Sequence, residues 1–245
     1  MNSPAFIVDG NHPPQPITAN QIDAPVLAAT IGEPPRRVGH YFEALIGFWL
    51  RHVRGLEVVA QGEQVHDGTR TVGELDFVFR DEADRLCHME TAVKFYLYDP
   101  RRSGSHFPGP NTTDDFETKA TRLFDHQLPM SERTRHRVDL RLAHVKGCCF
   151  VHPMLGPPPT VPERMAPGSE RGTWVRSSEL GWLAEQRPTA MVVSLTKPFW
   201  LTPGGRSPGP ICEVDAPSGT GTRMLAQVDS AGAFVDRICV VGDEW

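Results

Sequence analysis

The sequence predicts an α/β fold, and three observations predict it. Apolar residues recur at helical spacing between Arg36 and Val53; three segments with two-residue alternation follow; a second amphipathic helix and a further strand come after a turn-rich loop. The expected layout is a proline-rich arm over residues 1–35 and one α/β domain over 36–245 with a mixed central sheet flanked by helices. That domain divides into a core over 36–151 and a strand-rich C-terminal extension over 152–245.

The arm carries Pro4, Pro13, Pro14, Pro16, Pro25, Pro34 and Pro35 without sustained periodicity, which predicts irregular chain. From Arg36 the residues Val38, Tyr41, Phe42, Leu45, Ile46, Phe48, Trp49 and Val53 line one helical face, and Gly55 ends it. Strands are expected over 56–66, 71–80 and 86–98, separated by Asp67-Gly68 and by the charged run Asp81 to Arg85, as an antiparallel meander. Asp114 and Glu117 cap a helix with the stripe Phe116, Ala120, Leu123, Phe124 and Leu128, stopped by Pro129. A fourth strand is expected over 141–151.

Beyond it the sequence predicts a proline-rich loop over 152–172, a short helix over 178–186, and a strand over 190–201 with Pro198 near its end. A turn-rich loop covers 202–221. A closing hairpin joins 222–228 to 233–241 around Ser230-Ala231-Gly232.

Composition narrows the function. With 245 residues, 39% of them hydrophobic and 22% charged, the chain is not disordered as a whole. Five cysteines without a C-x-x-C pair form neither a disulfide framework nor a zinc-knuckle spacing, which points to a reducing compartment. No basic start precedes an apolar run and no run reaches membrane-span length, so the expected location is the cytoplasm, with no membrane partner. The net charge of −5 gives no bulk attraction for nucleic acid, so such a role needs a local basic patch.

The chemistry concentrates between Gly73 and Leu97. Alternation puts Gly73, Leu75, Phe77 and Phe79 on one side of the second strand, and Glu74, Asp76 and Val78 on the other. On the third strand His88, Glu90, Ala92, Lys94 and Tyr96 share the polar side. Pairing the two strands gathers Asp76, Glu90 and Lys94 on one face. Two carboxylates and a lysine on a half-buried sheet are costly unless a cation lies between them, and Mg²⁺ suits a site of one or two carboxylates. Lys94 would then orient or deprotonate a water, or neutralise charge on phosphorus. The plainer alternative is a surface ion pair between Glu90 and Lys94.

The run Gly73-Glu74-Leu75-Asp76-Phe77, then Ala92-Val93-Lys94-Phe95-Tyr96-Leu97, resembles the PD-(D/E)XK superfamily of restriction-endonuclease-like nucleases. With Gly109-Pro110-Asn111 and His126-Gln127-Leu128-Pro129, and more weakly Lys197 to Leu201, the chain resembles more narrowly the bacterial family called domain of unknown function 1853. The resemblance implies an αβββαβ core and hydrolysis of phosphodiester bonds in DNA or RNA, DNA ahead of RNA, with Mg²⁺ or Mn²⁺. Asp76 matches the first acidic position and Lys94 the lysine.

One departure matters. The second acid of that pattern lies two residues before the lysine, where this chain has Ala92, so Glu90 sits a strand repeat further off, roughly 6.6 Å. Either Glu90 reaches the metal, with Glu43 at the margin of the first helix's apolar stripe as a second ligand, or Glu43 supplies the ligand in its place, or the site has lost its metal and the protein is a non-catalytic nucleic-acid-binding or protein-interaction module. Glu74 is a supporting acid beside Asp76. Lys119, Arg122 and His126 at i, i+3 and i+7 form a polar helical face suited to phosphates, and His126 and Gln127 are placed for supporting polar contacts. The run Arg133, Arg135, His136, Arg137 and Arg141 is a further cationic stretch.

Overall fold

The computed structural model describes residues 22–166, 169–201 and 208–245; most of the expected N-terminal arm lies outside them. The fold is α/β, with a mixed sheet and flanking helices. Its chain forms two compact units. The first contains the chain up to Val93, Lys119–Lys146 and a short stretch from Glu163; the second contains Lys94–Thr118, Gly147–Pro162 and the chain from Ser169.

In the first unit the described end of the arm is helical rather than irregular. Helix α1, Ala24–Ile31, starts because Asp23 accepts a hydrogen bond from the Val26 N–H and Pro25 sits in its first turn, where no backbone donor is missed. Helix α2, Val38–Phe48, buries Val38, Phe42, Ile46 and Phe48, then widens into a π turn, Trp49–Val53. Gly55, with φ of 65°, follows it. Strands β1 (Val58–Asp67), β2 (Arg70–Arg80) and β3 (Leu86–Tyr98) form the expected antiparallel meander. Gly68 makes the first turn at φ 59°, and Asp81 fastens the second by accepting from the Ala83 and Arg85 N–H groups, each at 2.9 Å.

The second expected helix has three parts. Helix α3, Phe116–Arg122, opens into a π turn, Leu123–Gln127, and tightens to a 3₁₀ turn, Leu128–Arg133. Pro129 therefore ends the wider turn without ending the helical path, because in the first turn of a helix its missing N–H costs nothing. Met130 then lies over Gly73, where a Cβ would meet the Met130 methyl group at 2.6 Å. The core here is Val65, Leu75 and Val78, with Met130 packed on it. Strand β4, Leu140–Val151, begins beside β3 in this unit.

The second unit contains the ends of β3 and β4, then β5 (Arg171–Arg176), helix α4 (Leu180–Gln186), β6 (Met191–Leu195), β7 (Gly209–Pro210), β8 (Thr222–Val228) and β9 (Phe234–Val241). Its strand order is β3-β4-β5-β9-β8-β6-β7. The pairs β4·β5 and β5·β9 are parallel; β6·β7, β6·β8 and β8·β9 are antiparallel. Trp174, Phe150, Met224 and Trp245 fill one cluster; Leu180 and Leu183 of α4 close a second with Val192, Leu225, Ile238 and Val240.

Three expectations change here. Strand β5 starts at the end of the stretch expected as loop and runs through residues for which no element is expected, its Gly-Thr-Trp-Val too short and too completely buried to announce itself by alternation. Strand β6 stops at Leu195 rather than running to Leu201, since Pro198 has no N–H for a ladder and Phe199–Leu201 is a 3₁₀ turn. Within the loop expected over 202–221, Gly209 and Pro210 pair with β6. The expected closing hairpin is present as β8 and β9, turned by Asp229, whose carboxylate accepts from the Ala231 and Ala233 N–H groups.

Candidate functional site

The polar residues of β2 and β3 meet where the ladder between them ends. Regular pairing runs from Arg80 opposite Leu86 to Phe77 opposite Met89. One step further, side chains replace backbone partners. The Asp76 Oδ2 atom accepts from the Thr91 N–H at 2.7 Å and from the Thr91 hydroxyl at 2.9 Å, while the Asp76 N–H points to Glu90 Oε1 at 3.4 Å. Carboxylates fill the acceptor role because both strands carry an acid on the same face at this level.

Glu90 is 1% exposed. Its Oε1 lies 2.8 Å from His88 Nε2, and its Oε2 accepts from Gln127 Nε2 at 2.9 Å. The π turn supplies this last bond, by carrying Gln127 to β3. His88 is fully buried; its ring faces Glu90 through Nε2, and its Nδ1 has no hydrogen-bond partner. A buried acid needs such donors, since an unpaired carboxylate in this position would lose its hydration without replacement.

The acids affect one another. Burial, then the charge of Glu90, pushes the Asp76 carboxyl up to about 7. Two hydrogen bonds from Thr91 and the charge of Glu43 act on it with opposite signs and smaller weight. Burial and the charge of Glu74 raise Glu43 above the usual carboxylate range, opposed by His40 and by a hydrogen bond with Gln61. Glu43 of α2 and Glu74 of β2 thus belong electrostatically to the same acidic centre as Asp76 and Glu90.

The residues present do not make a ready metal site. Among the described residues no group of three or more His, Cys, Asp or Glu side chains is arranged to hold a metal ion. Both Glu90 oxygens are committed to protein donors, so Glu90 does not fit the ligand role in this arrangement. Asp76 has two bonds on Oδ2 and none on Oδ1.

The remaining expected residues are placed separately. Lys94 follows Glu90 on β3 in the stretch that belongs to the second unit; there its carbonyl oxygen is so close to β4 that a Cβ at Gly147 would collide with it. Lys119 is half-buried, whereas Arg122 and His126 are exposed. The π turn after Arg122 breaks the expected i, i+3, i+7 relation, because it holds more residues per turn than an α-helix. Gln127 makes the supporting contact expected of it. His88 lies on the face the alternation assigns it, and its bond to Glu90 at i+2 is the contact that the pattern did not single out.

Cys148 and Cys149 are buried and unpaired, and burial pushes the Cys149 thiol up to about 11. Among the described residues no helix is long and apolar enough to cross a membrane.

These features define an α/β protein with a mixed sheet and a buried acidic centre on its meander. The model of the family described as Domain of unknown function (DUF1853) matches residues 8–226, and the chain belongs to that family. No curated protein and no solved structure matches it.

Proposed function

We propose that this protein is a non-catalytic, nucleic-acid-binding member of the nuclease-like α/β class, with the acidic centre serving to hold the meander and the helical path together. The observation that carries the reading is the state of Glu90. In the pattern that the chain resembles, the second acid must face a metal; here Ala92 stands at that position, and the nearest acid on the strand spends both oxygens on His88 and Gln127. Such a carboxylate organises its neighbours instead of offering itself to a ligand. Binding then depends on exposed basic residues of the helical path after Lys119 and of the segment that follows it, Arg122 and His126 among them.

The test compares binding with cleavage on the same samples. Labelled single- and double-stranded DNA and RNA are titrated with the protein at low and moderate salt, then incubated with Mg²⁺ or Mn²⁺. Salt-sensitive binding without cleavage is expected. Metal-dependent cleavage that Asp76→Ala abolishes would overturn the reading.

A second reading, a Mg²⁺-dependent phosphodiesterase, is favoured by one observation. Burial first, and neighbouring acids after it, raise both Glu43 and Asp76, and a divalent cation would relieve the repulsive part. It predicts calorimetric binding of Mg²⁺ or Mn²⁺ that Asp76→Ala removes. Equal heats for variant and parent would eliminate it.

A further inference from the structure

We infer that Arg133, Arg135 and Arg137 form a preorganised strip that binds the phosphate backbone of a nucleic acid; the inference rests on the nucleic-acid-binding reading above and locates its contact surface. The segment from Arg133, the last residue of the 3₁₀ turn, to β4 alternates in exposure. Arg133, Arg135 and Arg137 are exposed, and Thr134, His136 and Val138 between them are half-buried. A merely solvated run of charge has no reason to keep such a pattern outside a strand.

The pattern is enforced by bonds on the inward side. His136 Nε2 lies 2.8 Å from Glu63 Oε2 on β1, fixing the middle of the segment. Thr134 donates its hydroxyl proton to the Ser131 carbonyl at 2.9 Å and accepts from the His136 N–H at 3.2 Å. At the far end Asp139 bonds β3 in both directions, its N–H to the Leu86 carbonyl at 2.7 Å and its carboxylate from the Leu86 N–H at 2.8 Å. The loop is therefore tied at start, middle and end, which lowers the ordering cost of binding.

The segment is positive on balance, with Arg133, Arg135, Arg137 and Arg141 against Glu132 and Asp139. Glu132 is paired with Arg141 at 3.0 Å, Glu63 with His136, and Asp139 with the β3 backbone. Arg141 is thereby engaged by Glu132, and it bonds Ser131 as well. Arg133, Arg135 and Arg137 have no ion-pair partner among the described residues. Residues two apart span at most about 7 Å, so the three guanidinium stems start within about 14 Å of chain, a length that covers several successive phosphates. Guanidinium groups suit phosphate because their planar donor fork matches two oxygens at once.

The experiment is fluorescence anisotropy with labelled single-stranded DNA, duplex DNA and RNA, across a salt series. The parent is compared with R133Q/R135Q/R137Q and with R36Q/R37Q/R70Q, which removes the same charge from other exposed arginines of the same unit. Circular dichroism checks that each variant is folded. The strip variant should lose at least tenfold in affinity, and its log–log salt slope should fall by about 2 to 3, whereas the control should stay close to the parent. A strip variant that binds as the parent does, or a control that loses as much, would overturn the strip and leave nucleic-acid binding standing. A parent that binds none of the three probes at low salt would overturn both. Tighter binding to a polyglutamate peptide of matched charge would overturn the phosphate assignment and indicate an acidic protein partner instead.

Discussion

Asp76 and Glu90 each reach across to the other's strand: the Asp76 carboxylate takes the Thr91 N–H, and the Glu90 carboxylate faces the Asp76 N–H. The two acids therefore stand in for the last rungs of an antiparallel ladder. This arrangement explains how two like charges coexist at the end of a paired stretch, and it makes their protonation part of the fold's stability.

The contribution of Asp76 to stability should fall as pH rises from about 4 to 7. The Asp76 carboxyl is near 3.8 in the unfolded chain and about 7 in the fold, so the folded state retains a proton that the unfolded state has lost across that window. Its contribution is complete below the lower value and gone above the upper one, with a slope of at most about 1.4 kcal/mol per pH unit. In denaturant unfolding from pH 4 to 8 the stability of the parent relative to Asp76→Asn should fall across that window. Parallel profiles would count against a raised Asp76.

His144 should act in the opposite sense. Its ring lies tilted beside Phe42 and Trp49, and burial, assisted by Lys146, lowers it from 6.5 to about 4. The fold therefore keeps a neutral ring where the unfolded chain is charged, which stabilises above pH 6.5 and is lost as pH falls toward 4. His144→Phe should remove that acid sensitivity while changing stability at pH 7 by about 1 kcal/mol or less.

Removing the donor to Glu90 tests the acidic centre as structure. Gln127→Ala leaves Glu90 Oε2 without its protein donor in a buried position, at a cost of about 1–3 kcal/mol in urea unfolding. Restoring compatibility with a neutral partner, Glu90→Gln, should recover part of that loss in the double variant. No recovery would mean that the two residues do not act as a pair.

Two glycines should respond differently to the same methyl group. At Gly73 the obstacle is the mobile end of Met130, which can turn aside, so Gly73→Ala should cost about 1 kcal/mol or less. At Gly147 the obstacle is the Lys94 backbone carbonyl, which cannot move without opening β3 from β4. Gly147→Ala should cost on the order of 3 kcal/mol or more, measured by thermal unfolding.

The legible parts of this molecule were those governed by short-range periodicity. Alternation alone placed β1 to β3 and the face shared by Asp76 and Glu90, and Asp229 to Gly232 marked the final hairpin. The π turns at Trp49–Val53 and Leu123–Gln127 were not legible, because their apolar stripes still satisfy an ordinary helical period. Strand β5 escaped for another reason: Thr173, Trp174 and Val175 are all buried, and a strand enclosed on both faces shows no alternation. The bond from Gln127 to Glu90 joins residues 37 apart, and neither end carries a local sign of the other.

The interleaving of the two units along the chain bears on how the protein can be made and divided. The ribosome delivers Asp76, His88 and Glu90 in succession, but Gln127 emerges only after the segment Lys94–Thr118, which belongs to the other unit, has been synthesised. The acidic centre thus waits, incomplete, while part of a different body is threaded through its sequence. No cut between Val93 and Lys119 yields a fragment with both Glu90 and Gln127, so a domain boundary drawn by sequence order would sever the site from the residue that completes it.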